Sequence, residues 1–252
     1  MESMRVQFEN ADGLKLVGIL DRGSGSDGRG VVFCTHFTGF KEVRHYQRLS
    51  KELAKRGISS LRFDYSDCVG ESEGSCDGMK LSRQALDTIS AIDFMFLSGF
   101  ESIGLFGHSL GGSTSIVTAA NDRRVAALVT AASPAKLEWD VLFKDKAEEW
   151  AKTGVMTFPS WKRGEISIGY DFYRDLKKYD ATVLVRDIEV PIRIIHPSED
   201  ELVSYENAMG IYRNANEPKE LSLVNGSDHM FSSKKHEDEL ISLSVEWFER
   251  WL

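Results

Sequence analysis

The stretch Ile103–Ser115, IGLFGHSLGGSTS, starts as an apolar run, breaks at Gly107 and resumes after Ser109 as a helix of small residues. A serine at a helix start can cap it by accepting a hydrogen bond from a backbone N–H of the first turn. A cap alone does not require glycine two positions before and two positions after. Gly107, Ser109 and Gly111 together make G-x-S-x-G between a strand and a helix. That context fits a sharp turn whose central residue is strained and whose flanking side chains would collide. Glycine removes the collision, and the turn lifts the serine oxygen above the carboxyl edge of a sheet, with a helix N-terminus behind it.

Outward from this turn, the chain alternates strand and helix. RVQFEN and KLVGIL, joined by ADG, predict an opening hairpin. The buried-looking runs GVVFCTHF, GISSLRFDY, SIGLFGHS, VAALVTAAS and VPIRIIHPS, and then KELSLVN, read as strands. Helical patterns lie between most of them, as at Tyr46 to Arg56 and Leu81 to Leu97, and Lys235 to Leu252 closes the chain. Short apolar runs separated by helices imply an α/β fold with a mostly parallel central sheet covered on both faces.

One segment breaks the alternation. Residues 137–187 separate two strands and carry many aromatic side chains. That length exceeds an ordinary crossover connection and predicts an inserted cap, with 1–136 and 188–252 forming the core. Trp139, Phe158, Trp161 and Tyr170 are its candidates for contact with a substrate, although aromatics serve equally well to anchor such a segment to a core. The GSGSDG loop matches G-x-G-x-x-G through Gly23, Gly25 and Gly28. It leads into a strand, not a helix, so it lacks the helix N-terminus that cradles a pyrophosphate.

The bulk properties set the outer limits. The chain has 252 residues, 42% of them hydrophobic, and a formal charge of -8. It is long enough for one large core, and its acidic balance argues against nucleic acid as a partner. No apolar run approaches the length of a membrane span, and the N-terminal stretch MESMRVQFEN is not a secretory signal, which predicts a cytoplasmic protein that does not enter membranes. Cys34, Cys68 and Cys76 are odd in number and form no C-x-x-C, so reduced thiols are expected. With no H-E-x-x-H and no zinc-type spacing, the sequence calls for neither metal nor cofactor.

A serine hydroxyl is a weak nucleophile until a base removes its proton, and the base needs a carboxylate to fix its tautomer. After PIRIIHP comes SEDELV, which puts Asp200 in a loop at a strand's carboxyl end, and GSDHMF puts His229 in the corresponding loop of the next strand. The order Ser, Asp, His is the one that a strand-to-helix nucleophile turn requires. Glu199 and Asp228 sit beside the chosen pair but point away in an extended loop. Asp64 reads as a loop aspartate holding backbone N–H groups. His36 and His108 lie near the turn, and proximity alone makes neither a base. His45, His196 and His236 read as structural or surface residues.

VVFCTHFTGFK, GISSLRFDYSDCVGESEG, FGHSLGGS, SEDELV and GSDHMF together resemble the α/β-hydrolase superfamily, across nearly the whole chain. Within it the chain is most similar to the small bacterial and archaeal serine esterases that include cinnamoyl and feruloyl esterases. The resemblance implies Ser109 as nucleophile, Asp200 as acid and His229 as base. It also implies an oxyanion hole from the backbone N–H groups of Phe37 and Leu110. Thr35-His36 stands where such esterases carry His-Gly, and DYSDCVGES is one residue longer than the usual loop.

The expected function is cofactor-free hydrolysis of a small-molecule carboxylic ester, with a short aliphatic or hydroxycinnamoyl acyl group, through an acyl-enzyme. A thioesterase or peptidase would use the same three residues, and a non-catalytic binding protein could keep the same fold. The acidic surface and the cap aromatics are compatible with a homodimer.

Overall fold

A computed structural model describes residues 2–25, 28–136 and 146–252. Strands β1 (Glu2–Glu9) and β2 (Lys15–Arg22) form the antiparallel hairpin that the ADG turn predicts. They are followed by β3 (Arg29–Cys34), β4 (Ser59–Phe63), β5 (Ser102–His108) and β6 (Val125–Ala131). Between β6 and the next strand of the same sheet lies a separate antiparallel hairpin, β7 (Val155–Ser160) with β8 (Gly164–Gly169). Strands β9 (Ile192–Pro197) and β10 (Lys219–Val224) complete an eight-stranded sheet in the order β1-β2-β4-β3-β5-β6-β9-β10. Beyond the opening hairpin, β2 meets β4 antiparallel and all later pairings are parallel.

The apolar strands are buried on both faces, because alternate side chains of a strand point to opposite sides. Val32, Leu105, Leu128, Ile192 and Ile194 face one way, and α2 (Leu81–Leu97), α3 (Leu110–Asn121) and α7 (Tyr205–Asn214) cover them. Val31, Phe33, Phe106, Ala127 and Val129 face the other way, under α1 (Arg44–Lys55) and α8 (Lys234–Trp251). No helix among the described residues is long and apolar enough to cross a membrane.

Within 146–187 the chain forms α4 (Ala147–Thr153), the β7–β8 hairpin, α5 (Tyr170–Leu176) and α6 (Ala181–Leu184). Trp150, Phe158, Ile166, Ile168, Phe172 and Tyr173 bury themselves against Leu110 and Val117 of α3, Leu81 and Ala85 of α2, and Val69. The tip of the hairpin is fastened to the core. Lys162 stands 3.3 Å from Glu42 and 5.1 Å over the Phe40 ring. Arg163 donates to the carbonyls of Cys68, at 3.1 Å, and Gly70, at 2.8 Å.

The loop after β4 differs from expectation. Cys68 and Cys76, with Cα atoms 4.9 Å apart, are joined in a disulfide, where the sequence predicts reduced thiols. The loop doubles back on itself, which brings together two residues whose spacing fits no motif. Cys34 is free and buried.

Candidate active site

Ser109 sits at the junction of β5 and α3 with φ 55° and ψ −122°, a conformation that L residues rarely adopt. The flanking glycines are sterically required. A methyl at Gly107 would stand 2.6 Å from the Ser115 hydroxyl oxygen and closer still to the Gly111 carbonyl. One at Gly111 would stand 2.7 Å from the Thr35 carbonyl oxygen and closer to the carbonyl of Cys34. The serine is held by its own backbone, with Ser109 N–H donating to Ala131 at 2.8 Å and Gly112 N–H donating to the Ser109 carbonyl at 2.8 Å.

The structure brings Ser109, His229 and Asp200 together from the carboxyl ends of β5, β10 and β9. His229 Nε2 lies 2.9 Å from Ser109 Oγ, and its Nδ1 lies 2.8 Å and 3.0 Å from the two Asp200 oxygens. A carboxylate only accepts, so Nδ1 carries the hydrogen and Nε2 presents its lone pair to the serine hydroxyl. The Asp200 side chain is 1% exposed, and its Oδ1 also accepts from the N–H groups of Leu202 and Val203 at 2.9 and 2.8 Å. Its position is thereby fixed before His229 is considered. Glu199, beside Asp200 in sequence, is exposed, while the carboxylate of Asp228, beside His229, accepts from Ser232 N–H at 2.8 Å.

The loop after β3 shows how His36 is accommodated where a glycine is usual. Its backbone is not left-handed; that conformation falls on Thr38, at φ 57°. Gly39 N–H donates to the His36 carbonyl at 2.7 Å, which fixes the plane of the peptide between His36 and Phe37 and turns the Phe37 N–H to the opposite side. His36 N–H is bonded to the Tyr46 hydroxyl at 3.0 Å, and its ring Nδ1 to the Phe37 carbonyl at 2.9 Å. Enclosure pulls the His36 imidazole down to about 4, so it is neutral at physiological pH. Leu110 is the first residue of α3, where backbone N–H groups have no acceptor within the helix.

Asp64 braces this loop as the sequence suggests. Its Oδ1 accepts from Lys41 N–H at 2.9 Å, and its Oδ2 from Glu71 N–H at 2.9 Å and the buried Lys41 ammonium at 2.5 Å. The Lys41 ammonium also pairs with Glu71 and Glu42, and these carboxylates hold its pKa above the usual lysine value despite burial. The extra length of DYSDCVGES leaves these bonds in place.

The four aromatic candidates have different fates. Phe158 is buried and packs edge-on against Phe37, with ring centroids 5.3 Å apart. Tyr170 packs on Trp150 and Tyr173 instead. Trp161, at the hairpin tip, is 95% exposed and lines no cluster. Trp139 lies outside the described residues. Sequence reading passed over Phe172, which stacks on Phe37 at 5.5 Å, and Trp150, whose indole N–H donates to the Ile168 carbonyl at 3.0 Å. The spacing of α5 alone could have pointed to Phe172, since Phe172, Tyr173 and Leu176 lie on one helical face. Among the described residues no group of three or more His, Cys, Asp or Glu is placed to hold a metal ion.

The sheet order, the strained serine turn and the three loops define an α/β-hydrolase. A family model agrees: the prolyl oligopeptidase family matches residues 82–252, and the chain belongs to that family. Two relatives align with it. The polyketide transferase ATR5 of Stachybotrys chlorohalonatus is 25% identical over 98% of this chain and 97% of its own. The thiohydrolase aneE of Aspergillus aculeatus is 35% identical over 50% of this chain and 40% of its own. Two solved structures share the fold end to end. The α/β hydrolase GrgF of a Penicillium species has a TM-score of 0.84 at 21% identity, covering 99% of each chain. Est1E of Butyrivibrio proteoclasticus, with ferulic acid bound, has a TM-score of 0.76 at 21% identity, covering 97% of this chain and 98% of its own.

Proposed function

We propose that this protein is a serine hydrolase of carboxylic esters acting through an acyl-enzyme. The observation that carries the reading is the continuous chain of hydrogen bonds from Ser109 Oγ through His229 to Asp200, at 2.9 and 2.8 Å. Ser109 Oγ attacks the acyl carbonyl while its proton passes to His229 Nε2. The proton then goes to the departing alkoxide, leaving an acyl-serine and an alcohol. Water, deprotonated by the same nitrogen, releases the acid and restores the serine. The N–H groups of Leu110 and Phe37 stabilise the oxyanion, at about 3 kcal/mol for each donor. Asp200 holds the tautomer and stabilises the imidazolium.

Residues 146–187 act in this reading as a cap, with Phe158 and Phe172 placing an apolar wall beside Phe37 that suits short aliphatic or hydroxycinnamoyl acyl groups. A second reading, cleavage of an acyl thioester by the same residues, is favoured by the names of the relatives, a thiohydrolase and a polyketide transferase. Hydrolysis of p-nitrophenyl esters from acetate to palmitate and of methyl ferulate, each compared with a thioester of the same acyl group, tests both readings through their kcat/KM values. Ser109→Ala should abolish turnover; retention of most of it would overturn the mechanism.

A further inference from the structure

The residue just before the serine has a fixed task of its own. His108 ends β5, fully buried, and its Nε2 lies 3.0 Å from the backbone carbonyl oxygen of His229. A carbonyl can only accept, so Nε2 carries the hydrogen and donates it. The other ring nitrogen, Nδ1, is buried without a hydrogen-bond partner. Burial, with His45 and His36 beside it, holds this imidazole well below the usual histidine range, so it is neutral. A ring whose one hydrogen is committed to a carbonyl, and whose lone pair faces the interior, cannot take the serine proton.

We propose that His108 is a positioning residue for the base, anchoring the His229 loop directly to the strand that presents the serine. This rests on the reading of Ser109 and His229 as the reacting pair. The His229 carbonyl receives its short bond from His108, whereas His229 N–H has only a long one, 3.5 Å from a Glu201 carboxylate oxygen. The turn that follows is tight, with Phe231 N–H donating to Asp228 at 3.1 Å and Phe231 itself left-handed at φ 52°. The Phe231 ring returns to pack 5.8 Å from that of His108.

Behind His108 the rings of His45 and His36 stand nearly perpendicular to it, with centroids 5.0 and 5.4 Å away, and they fix its orientation. His36 belongs to the loop that carries Phe37. The neutral imidazoles of His36, His45 and His108 therefore join the loop of the oxyanion donor to the strand of the nucleophile, and the His108 bond carries the connection on to the loop of the base. A reacting group displaced by about 1 Å can lose on the order of 100-fold in rate. An anchor one residue from the nucleophile removes that freedom where it matters most.

The test compares His108→Leu, which fills the space without a donor, with His108→Gln, whose amide N–H can reach the position of Nε2. Both are made in the full-length chain and assayed on a p-nitrophenyl ester that the wild type turns over. His108→Leu should lose on the order of 100-fold in kcat, with KM changed by less than about twofold. Its labelling by a fluorophosphonate should slow to match, and His108→Gln should recover most of the loss. The proposal fails if folded His108→Leu keeps kcat within about threefold of wild type, or if His108→Gln is no better than His108→Leu.

Nitrogen-15 NMR of histidine-labelled protein gives a readout that does not need turnover. It should show His108 as the Nε2–H tautomer, with a single His229 ring environment that broadens or splits in the variant lacking the donor. If His108→Leu does not fold, His108→Asn, too short to reach the carbonyl, takes its place against His108→Gln. If the wild type shows no Ser109-dependent turnover, the hydrolase reading fails, and the NMR comparison still decides the role of His108. An unchanged His229 signal in the donor-less variant would overturn it.

Discussion

Substituting Gly111 by alanine attacks the nucleophile turn through backbone alone. The added methyl would stand 2.7 Å from the Thr35 carbonyl oxygen and nearer still to the carbonyl of Cys34, where ordinary contact is 3.4–4 Å. Both are main-chain groups at the end of β3, so no side chain can rotate out of the way. Either the first turn of α3 or the loop carrying Phe37 must give by about 1 Å, which on the proposed mechanism displaces the Leu110 and Phe37 N–H groups relative to each other. Overpacking of this kind costs about 1–3 kcal/mol. A 1 Å misplacement of a reacting group costs about 100-fold in rate. Gly111→Ala should therefore lower kcat/KM on a p-nitrophenyl ester by about 100-fold or more. Its Tm should fall by several degrees, at about 2–4 °C per kcal/mol for a domain of this size. The measurements are initial rates and thermal melts of the same preparation. A variant with wild-type kcat/KM and wild-type Tm would refute the close approach of α3 to β3.

Two further expectations concern residues outside the turn. Phe158→Ala should destabilise by about 3–5 kcal/mol, since it empties a buried site against Phe37 and Trp150. Trp161→Ala should stay within about 0.5 kcal/mol of wild type; denaturant melts that rank the two aromatics equally would contradict the packing. Burial, with Asp64 and Asp87 nearby, raises the Asp67 carboxyl from 3.8 to about 7. The folded state binds that proton more tightly than the unfolded state, so its contribution to stability is whole below about pH 3.8 and lost as pH rises through about 7. Asp67→Asn stays neutral and should melt above wild type by about 2 °C or more at pH 8. The gap should close toward pH 4, and one independent of pH would rule the burial effect out.

The core was legible because its signals are local. GVVFCTHF, SIGLFGHS and VPIRIIHPS carry short, mainly apolar runs of the kind that a doubly covered sheet buries, and the predicted helix Leu81–Leu97 has the observed bounds. The positions of Ser109, Asp200 and His229 were readable for the same reason, since each lies in the loop or turn at a strand's carboxyl end. Contacts between distant segments were not. Nothing in the spacing of Cys68 and Cys76 marks a disulfide, and the periodicity of α5 marks Phe172 as facing inward without telling that it stacks on Phe37, which depends on where α5 docks. Trp161 drew attention by residue type, but a hairpin tip exposes whatever it carries. His36 looked like a bulky intrusion at a glycine position. There is no such conflict, because His36 does not adopt a positive φ and the left-handed residue of this loop is Thr38.

The β7–β8 hairpin is pinned at its free end, like a door latched on the side away from its hinges. Arg163 holds two main-chain carbonyls, and Lys162 an acidic side chain, on two different core loops. A molecule that must push this hairpin aside to enter meets resistance at the tip, from groups that would be left without partners once parted. Added salt would weaken the Lys162 contact by screening, while the bonds from Arg163 to neutral carbonyls would persist. An outward swing of the hairpin would therefore pull on the loop that follows Asp64 and, through Glu42 and Lys41, on the loop holding Phe37, so three segments far apart in sequence would have to yield together.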